Sequence, residues 1–410
     1  MERRIRSLVA GLVLVAAGCG APSPSAGSGG SSLIPAPASS VASPALSTAA
    51  SPAASPSPLR TGKDGRPFAV EPLDTFDQPW AMTFLPDGNQ LITQRGGTLL
   101  LRDAASGKTP TVTGTPDVLH AGQGGLGDVV LSPTFETDRM VYLSWAERGD
   151  GDTSGAAVGR ATLVTDGSQA RLDGLAVIWR QTPKVSGTGH YGHRLAFSPD
   201  GAYLFVTSGE RQKFDPAQDL GVNLGKILRL TRDGKPAPGN PFADRGGVGA
   251  QIWSYGHRNP LGIAFDASGN LWESEMGPKG GDEVNLILPG ANYGWPKASN
   301  GSHYSGEDIP DHKAGDGFEA PKVWWNPSIS PGSLMIYSGT LFAPWQGDAF
   351  VGALSGQALI RVDLDSTSGR KADQWDLGAR IREVEQGPDG AIYLLEDGPR
   401  GRLLRLTPLP

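Results

Sequence analysis

One phrase, repeated six times, restricts this chain more than any other feature. It consists of an aromatic or apolar residue, a turn built on Pro, Asp and Gly, and a short apolar run. The first three copies are Phe84-Leu-Pro-Asp-Gly88 before Gln90-Leu-Ile-Thr93, Leu131-Ser-Pro-Thr-Phe135 before Met140 to Trp145, and Phe197-Ser-Pro-Asp-Gly201 before Tyr203 to Thr207. The others are Phe265-Asp-Ala-Ser-Gly269 before Asn270-Leu-Trp272, Phe342-Ala-Pro-Trp345 before Ala349 to Gly352, and Gln386-Gly-Pro-Asp-Gly390 before Ala391 to Leu395. Pro presets φ at a turn, Asp caps its own backbone, and Gly accepts the positive φ that closes a hairpin. The run that follows reads as a strand burying one face. Amphipathic helical pattern is scarce. Six copies at uneven spacing predict an all-β fold, a six-bladed β-propeller of four-stranded antiparallel blades. A pair of β-sandwiches would give no reason for the same phrase to recur. Propellers gather loops from every blade at one end, so the chemistry belongs in the inserts between phrases.

The N-terminus reads as an address. Arg3, Arg4 and Arg6 precede an apolar run of ten residues, Leu8 to Ala17. A bilayer-spanning helix needs about 20 residues, so this run reads as a secretory signal. Ala16-Ala17-Gly18-Cys19 resembles a bacterial lipobox, which would place a lipid anchor on Cys19, the only cysteine. A lone cysteine excludes an intramolecular disulfide framework and a thiolate metal cluster. Residues 20–59 carry no charged side chain and are mostly small residues and Pro, a composition that cannot bury enough surface to order itself. The reading is therefore a signal peptide over 1–18, an attachment site and disordered linker over 19–64, and a catalytic propeller over 65–410. The protein would be exported, touching a membrane only through Cys19. The net charge of −6 and the absence of Lys/Arg runs argue against a nucleic-acid partner.

Two strings imitate a dinucleotide fingerprint, Gly122-Gln-Gly-Gly-Leu-Gly127 and Gly187-Thr-Gly-His-Tyr-Gly192. That site needs a preceding strand and a following helix, and strand-like runs follow both strings here. Neither a G-x-S-x-G elbow nor a phosphate-binding loop is present. Asn300-Gly-Ser302 matches a glycosylation sequon by pattern alone.

The informative inserts are Gly122-Gln123-Gly-Gly-Leu-Gly-Asp128, Gly189-His190-Tyr-Gly-His193-Arg194, and Tyr255-Gly-His257-Arg258-Asn259-Pro-Leu-Gly262. A fourth runs from Glu275-Met-Gly277-Pro278 through Gly281-Asp282-Glu283 to Asn292-Tyr293-Gly-Trp295-Pro296, and a fifth is Ala379-Arg380-Ile-Arg382-Glu383. In this order, from about Phe76 to the C-terminus, they resemble the soluble aldose (glucose/sorbosone-type) dehydrogenases that depend on pyrroloquinoline quinone (PQQ). The third and fourth strings are the specific ones.

The resemblance implies oxidation of an aldose at C1 to the lactone, with hydride passing to PQQ and electrons to a separate acceptor. His190 matches the family's general base, and a neutral imidazole suits that task because it titrates near working pH. His193, three residues on, carries no such assignment. Arg258 and Asn259 match the pair beside the quinone carbonyls, where a guanidinium stabilises arriving charge. Gln123 matches a side chain bonding substrate and base. Arg380 and Arg382 match the pair holding the carboxylates of this tricarboxylate cofactor, and alternate residues of a strand point the same way. Gly277 and Pro278 match backbone-carbonyl ligands of the calcium at the cofactor, while Glu283 and Tyr293 match a second, structural calcium. Without the resemblance, Asp282-Glu283 would read as a solvated acidic turn.

The chain departs from the family pattern where glucose-active members place Asp before the base, a position held here by Gly189. The family's aromatic-plus-hydroxyl pair over the substrate falls at Asn326 and Ser328, with Trp325 displaced by one. The family's cofactor lysine finds no clear counterpart. Two other readings use the same architecture, a calcium-dependent lactonase and a non-catalytic sugar-binding propeller. The lactonase would need several acidic side chains converging on the axis, and the candidates are mostly Arg, Asn and His.

Overall fold

The computed structural model describes residues 58–166 and 169–410. The signal, Cys19 and nearly all of the linker lie outside the described residues. What is described is all-β: the only α-helix is the single turn Phe135–Asp138, beside a few 3-10 turns. Among the described residues no helix is long and apolar enough to cross a membrane.

Every copy of the repeated phrase forms the turn between two antiparallel strands. The first strands of these pairs are Pro79–Phe84, Leu126–Leu131, Gly192–Phe197, Pro260–Phe265, Pro331–Ile336 and Ile381–Gln386. Four four-stranded sheets result. A larger sheet joins two more such groups edge to edge, through a parallel pairing of Val112 with Ala170. The strand Phe68–Phe76 pairs antiparallel with Gly401–Pro408, so both ends of the described chain meet in one sheet. The six first strands touch one another in sequence, and the last touches the first. Each carries a break in register near its start. Such bulges bend a strand and re-aim its side chains.

One expectation fails in detail. The second strands are not buried on a single face: Leu271–Glu275 and Ile392–Glu396 are buried throughout. The reason is that each sheet is covered on both sides. Leu394 packs against the preceding sheet with Phe350 and Leu359, while Leu395 packs against the next with Ile92 and Leu100. Leu271 and Trp272 divide in the same way between two cores.

Arg194 sits where the six first strands converge. Its Nε donates to Leu261 O at 2.8 Å, and its Nη2 to Gly332 O at 2.7 Å and Arg382 O at 3.4 Å. Carboxylates of Asp128 and Glu383 lie 3.5 and 2.5 Å away, and the Trp80 ring lies 4.1 Å beneath the guanidinium. These partners come from the first strands of all five other groups. One fully buried cation thus ties the whole ring, and burying it without such partners would be very costly.

Candidate active site

Residues of the inserts line two cavities. The first, about 370 Å³, is lined by Arg95, Gln123, Asn259, Arg380, Arg382 and Asp397, with Trp80, Tyr191 and His193 among its apolar walls. The second, about 460 Å³, is lined by His190, Glu210, Gln212, Arg258 and Pro278, with Phe214, Trp295 and His303. Tyr304 lines both. It is 75% exposed and accepts a 3.4 Å hydrogen bond from Arg258 Nη2.

Local backbone strain builds this region. Among the described residues, five of the eleven non-glycine residues with positive φ lie between His190 and Phe214: His190, His193, Arg211, Gln212 and Phe214. Such conformations cost energy and persist only where the surroundings over-determine them. The Glu210 carboxylate does so here. It accepts hydrogen bonds from the backbone N–H of Gln212 at 2.9 Å, Lys213 at 2.5 Å and Phe214 at 2.6 Å. Its Oε1 also meets His190 Nδ1 at 2.5 Å. A carboxylate can only accept, so Nδ1 carries the proton and Nε2 keeps its lone pair. Burial drives the His190 pKa down; the bond to Glu210 opposes this and the Arg258 charge adds to it. The net result is a neutral imidazole. Sequence reading missed Glu210. The only signal was an acidic residue just after the strand Tyr203–Ser208, twenty positions beyond the histidine.

Gln123 lies next to His190, but its Oε1 accepts from the backbone His190 N at 2.7 Å and not from the imidazole. The loop that carries it needs Gly125, with φ of +135° and a Cβ position only 2.3 Å from Arg95 O. Arg380 and Arg382 also converge, both pairing with Asp397 at 2.9 Å. Arg258 and Asn259, adjacent in sequence, point to different cavities. Arg258 Nη1 donates to Met276 O at 2.9 Å and Gly277 O at 2.8 Å, and its buried Nε has no partner. His193 does not touch His190. It stacks on Trp80 at 5.0 Å with its Nδ1 2.9 Å from Ser144 Oγ, and burial drives its pKa down to about 3. It is a neutral wall of the arginine-lined cavity.

Asp282 and Glu283 are not a solvated turn. They begin the fully buried strand Asp282–Ile287. Asp282 accepts from Gly277 N at 2.8 Å and from Ser328 Oγ, Ile329 N and Ser330 N at 2.6–2.7 Å, which fixes the Gly277 loop. Glu283 shares the Nδ2 protons of Asn285 with Glu273, at 3.1 Å each. With Gly277 and Tyr293, Glu283 and Glu275 line a small pocket behind Arg258. His257, Glu273 and Glu275 bring ligand atoms within 4.8 Å of one another. Burial and mutual repulsion push Glu273 and Glu283 well up. Glu273 Oε1, Asn285 Oδ1 and both ring nitrogens of His312 are buried without partners. Burial keeps His312 neutral, so its 3.9 Å contact with Glu283 is not an ion pair. A carboxylate cluster with orphaned oxygens suits a hard cation. Around Gly277, the carbonyls of Gly280 and Gly281 stand 2.3 Å from where a Cβ would be, an oxygen-rich cradle only glycine fits.

The substrate-side departures resolve differently from expectation. Trp325 is buried between two sheets, Ser328 serves Asp282, and Asn326 packs on Gly280. None of the three lines either cavity. The aromatic walls are Phe214, Trp295, His303 and Tyr304 instead. At Gly189, an added Cβ would lie 2.5 Å from Gln212 Oε1, so Gln212 fills the space a larger residue would take.

A buried histidine held by a buried carboxylate, on the wall of one cavity and beside a second lined by arginines, is the candidate active site on this all-β frame. The glucose/sorbosone dehydrogenase family model matches residues 76–405, and the chain belongs to this family of oxidoreductases. It is 42% identical over 344 residues to the aldose sugar dehydrogenase YliI of Escherichia coli K12, covering 82% of this chain and 91% of that one. The apo-form crystal structure of the soluble E. coli aldose sugar dehydrogenase superposes with a TM-score of 0.79, covering 83% of this chain and all of that chain. The PQQ-bound aldose sugar dehydrogenase of Streptomyces coelicolor, 30% identical, superposes with a TM-score of 0.69 over 83% of this chain and 98% of its own.

Proposed function

We propose that this protein is a six-bladed propeller that oxidises an aldose at C1 to the lactone, using PQQ and calcium, and passes the electrons to a separate acceptor. The observation that carries the reading is His190, neutral, its Nδ1 proton held by Glu210 and its ring on a cavity wall shared with Arg258. The six-blade reading rests on the cyclic contact of six first strands.

Bound PQQ would supply the two-electron sink for the hydride leaving C1. Arg380 and Arg382 would hold its carboxylates. Asn259 lines the same cavity, within reach of the quinone. Gly277 and Pro278 would offer backbone carbonyls to a calcium ion that polarises the quinone. Glu283 and Tyr293, which line the pocket with Glu275, would hold the second calcium, and the unpartnered Glu273 Oε1 belongs to the same carboxylate cluster. His190 Nε2 takes the proton of the anomeric hydroxyl, and Glu210 keeps the ring in the tautomer that can do so. Gln123 fixes the backbone of His190, and Arg258 lies where negative charge develops.

The direct test combines the purified protein with PQQ, calcium, a dye acceptor and a panel of aldoses. Dye reduction should require both sugar and cofactor, and chelation should abolish it and lower the melting temperature, since calcium binds only the folded state. Loaded protein that reduces dye with no aldose would refute the assignment. Export and lipid attachment at Cys19 rest on residues 1–57 and are proposed from sequence alone; labelling cells with a palmitate analogue tests them, and unlabelled mature protein would refute them.

A further inference from the structure

We propose that Arg95 is a third cofactor-anchoring arginine, meeting a carboxylate of PQQ that Arg380 and Arg382 do not reach. The inference rests on the PQQ reading above. Three guanidinium groups line the 370 Å³ cavity, and they are not equivalent. Arg380 and Arg382 share the carboxylate of Asp397, at 2.9 Å each. Arg95 has no carboxylate partner among the described residues. Its Nε and Nη2 donate to Gly124 O at 3.3 and 3.1 Å, its Nη2 also to Gly122 O, and its Nη1 only weakly to Gln78 Oε1 at 3.4 Å. Carbonyls orient a guanidinium but leave its charge uncancelled.

The cavity therefore carries three positive charges against one negative, an excess of two. A polyanion is the ligand that meets this excess. The three cations also come from two distant parts of the chain: Arg95 follows the strand Gln90–Gln94, and Arg380 and Arg382 flank Ile381. The bonds of Arg95 to Gly122 and Gly124 also hold the loop bearing Gln123, so its role must be separated from simple loop support.

The test measures PQQ binding to apo-protein by quenching of tryptophan fluorescence, with melting temperature in parallel. Arg95→Met should weaken PQQ roughly ten- to hundred-fold, the usual loss for a charge-assisted contact. Arg95→Lys should recover a large part of that affinity. The trimethyl ester of PQQ should bind wild type and Arg95→Met with equal weakness. Affinity unchanged in Arg95→Met overturns the proposal. So does an equal loss in both variants accompanied by an equal fall in apo melting temperature, which marks a loop clamp. If wild type itself fails to bind PQQ, the cofactor reading falls, and this inference with it.

Discussion

Two charged chambers lie back to back on Arg194, and they solve opposite problems. Above it, the arginine-lined cavity sets Arg95, Arg380 and Arg382 against Asp397 alone. Below it, a smaller chamber of about 100 Å³ draws on all six first strands and holds Asp128, Glu383 and Glu385 around Arg194 itself. The same strand serves both: Arg382 lines the upper cavity, and its neighbour Glu383 the lower. In the upper cavity the surplus is positive, and an anionic ligand can complete it. In the lower one the ionised side chains would leave a negative surplus, and burial favours protons on them. Burial pushes Asp128 up, and burial with repulsion from neighbouring carboxylates pushes Glu385 up and Glu383 to about 8, with Arg194 opposing.

The strongest way to sharpen this contrast is to separate chemistry from support above Arg194. His190→Gln should keep the fold and PQQ loading, measured from the quinone absorbance, while turnover falls by roughly two to four orders of magnitude, the usual share of a general base. His193→Gln should cost far less turnover, because His193 is a stacked wall residue held neutral by burial. Equal losses, or a His190 variant that no longer loads PQQ, would make His190 structural and reassign the proton transfer.

The next effect is on stability. Arg194→Met leaves Asp128 and Glu383 facing each other without their shared cation, and breaking a buried pair from one side costs about 3–5 kcal/mol. Adding Glu383→Leu should return part of that loss by removing one of the two buried carboxyls left without their partner. Urea unfolding of the apo-protein measures both. A loss below about 1 kcal/mol would mean that packing, and not this cation, closes the ring.

These contrasts also explain what the sequence could and could not convey. The repeated phrase was legible because Pro, Asp and Gly act locally, and each copy does form its turn. Gln123 and His190 do lie together, though through the backbone N–H of His190, and Arg380 meets Arg382 through Asp397. Glu210 was not legible, because its role depends on a strained turn folding its carboxylate back on a histidine twenty residues earlier. Arg194 stood in a quoted string and passed unremarked. Its importance comes from five other strands, and no local pattern records that. The mismatch at Trp325, Asn326 and Ser328 was legible as a departure, but where they go was not: Trp325 ends the strand Val323–Trp325 in a buried core, and the loop after it serves Asp282.

The smallest expected effect tests the lower chamber alone. An unfolded glutamate titrates near 4.3, whereas burial and the charges of Glu383 and Asp128 hold Glu385 well above that in the fold. Between the two values the folded chain keeps a proton that the unfolded chain releases. Stability from this source is therefore present at low pH and lost as pH climbs, through about 8 for Glu383. Glu385→Gln removes one of the three carboxyls and eases the repulsion on the others. The fall in melting temperature between about pH 5.5 and about pH 8.5 should then shrink by a few degrees relative to wild type. Chelator in both samples keeps the Glu273, Glu275 and Glu283 cluster from contributing a metal-dependent difference. An unchanged or steeper fall would place the pH sensitivity elsewhere, and the lower chamber would have to be reread as matched by Arg194 alone.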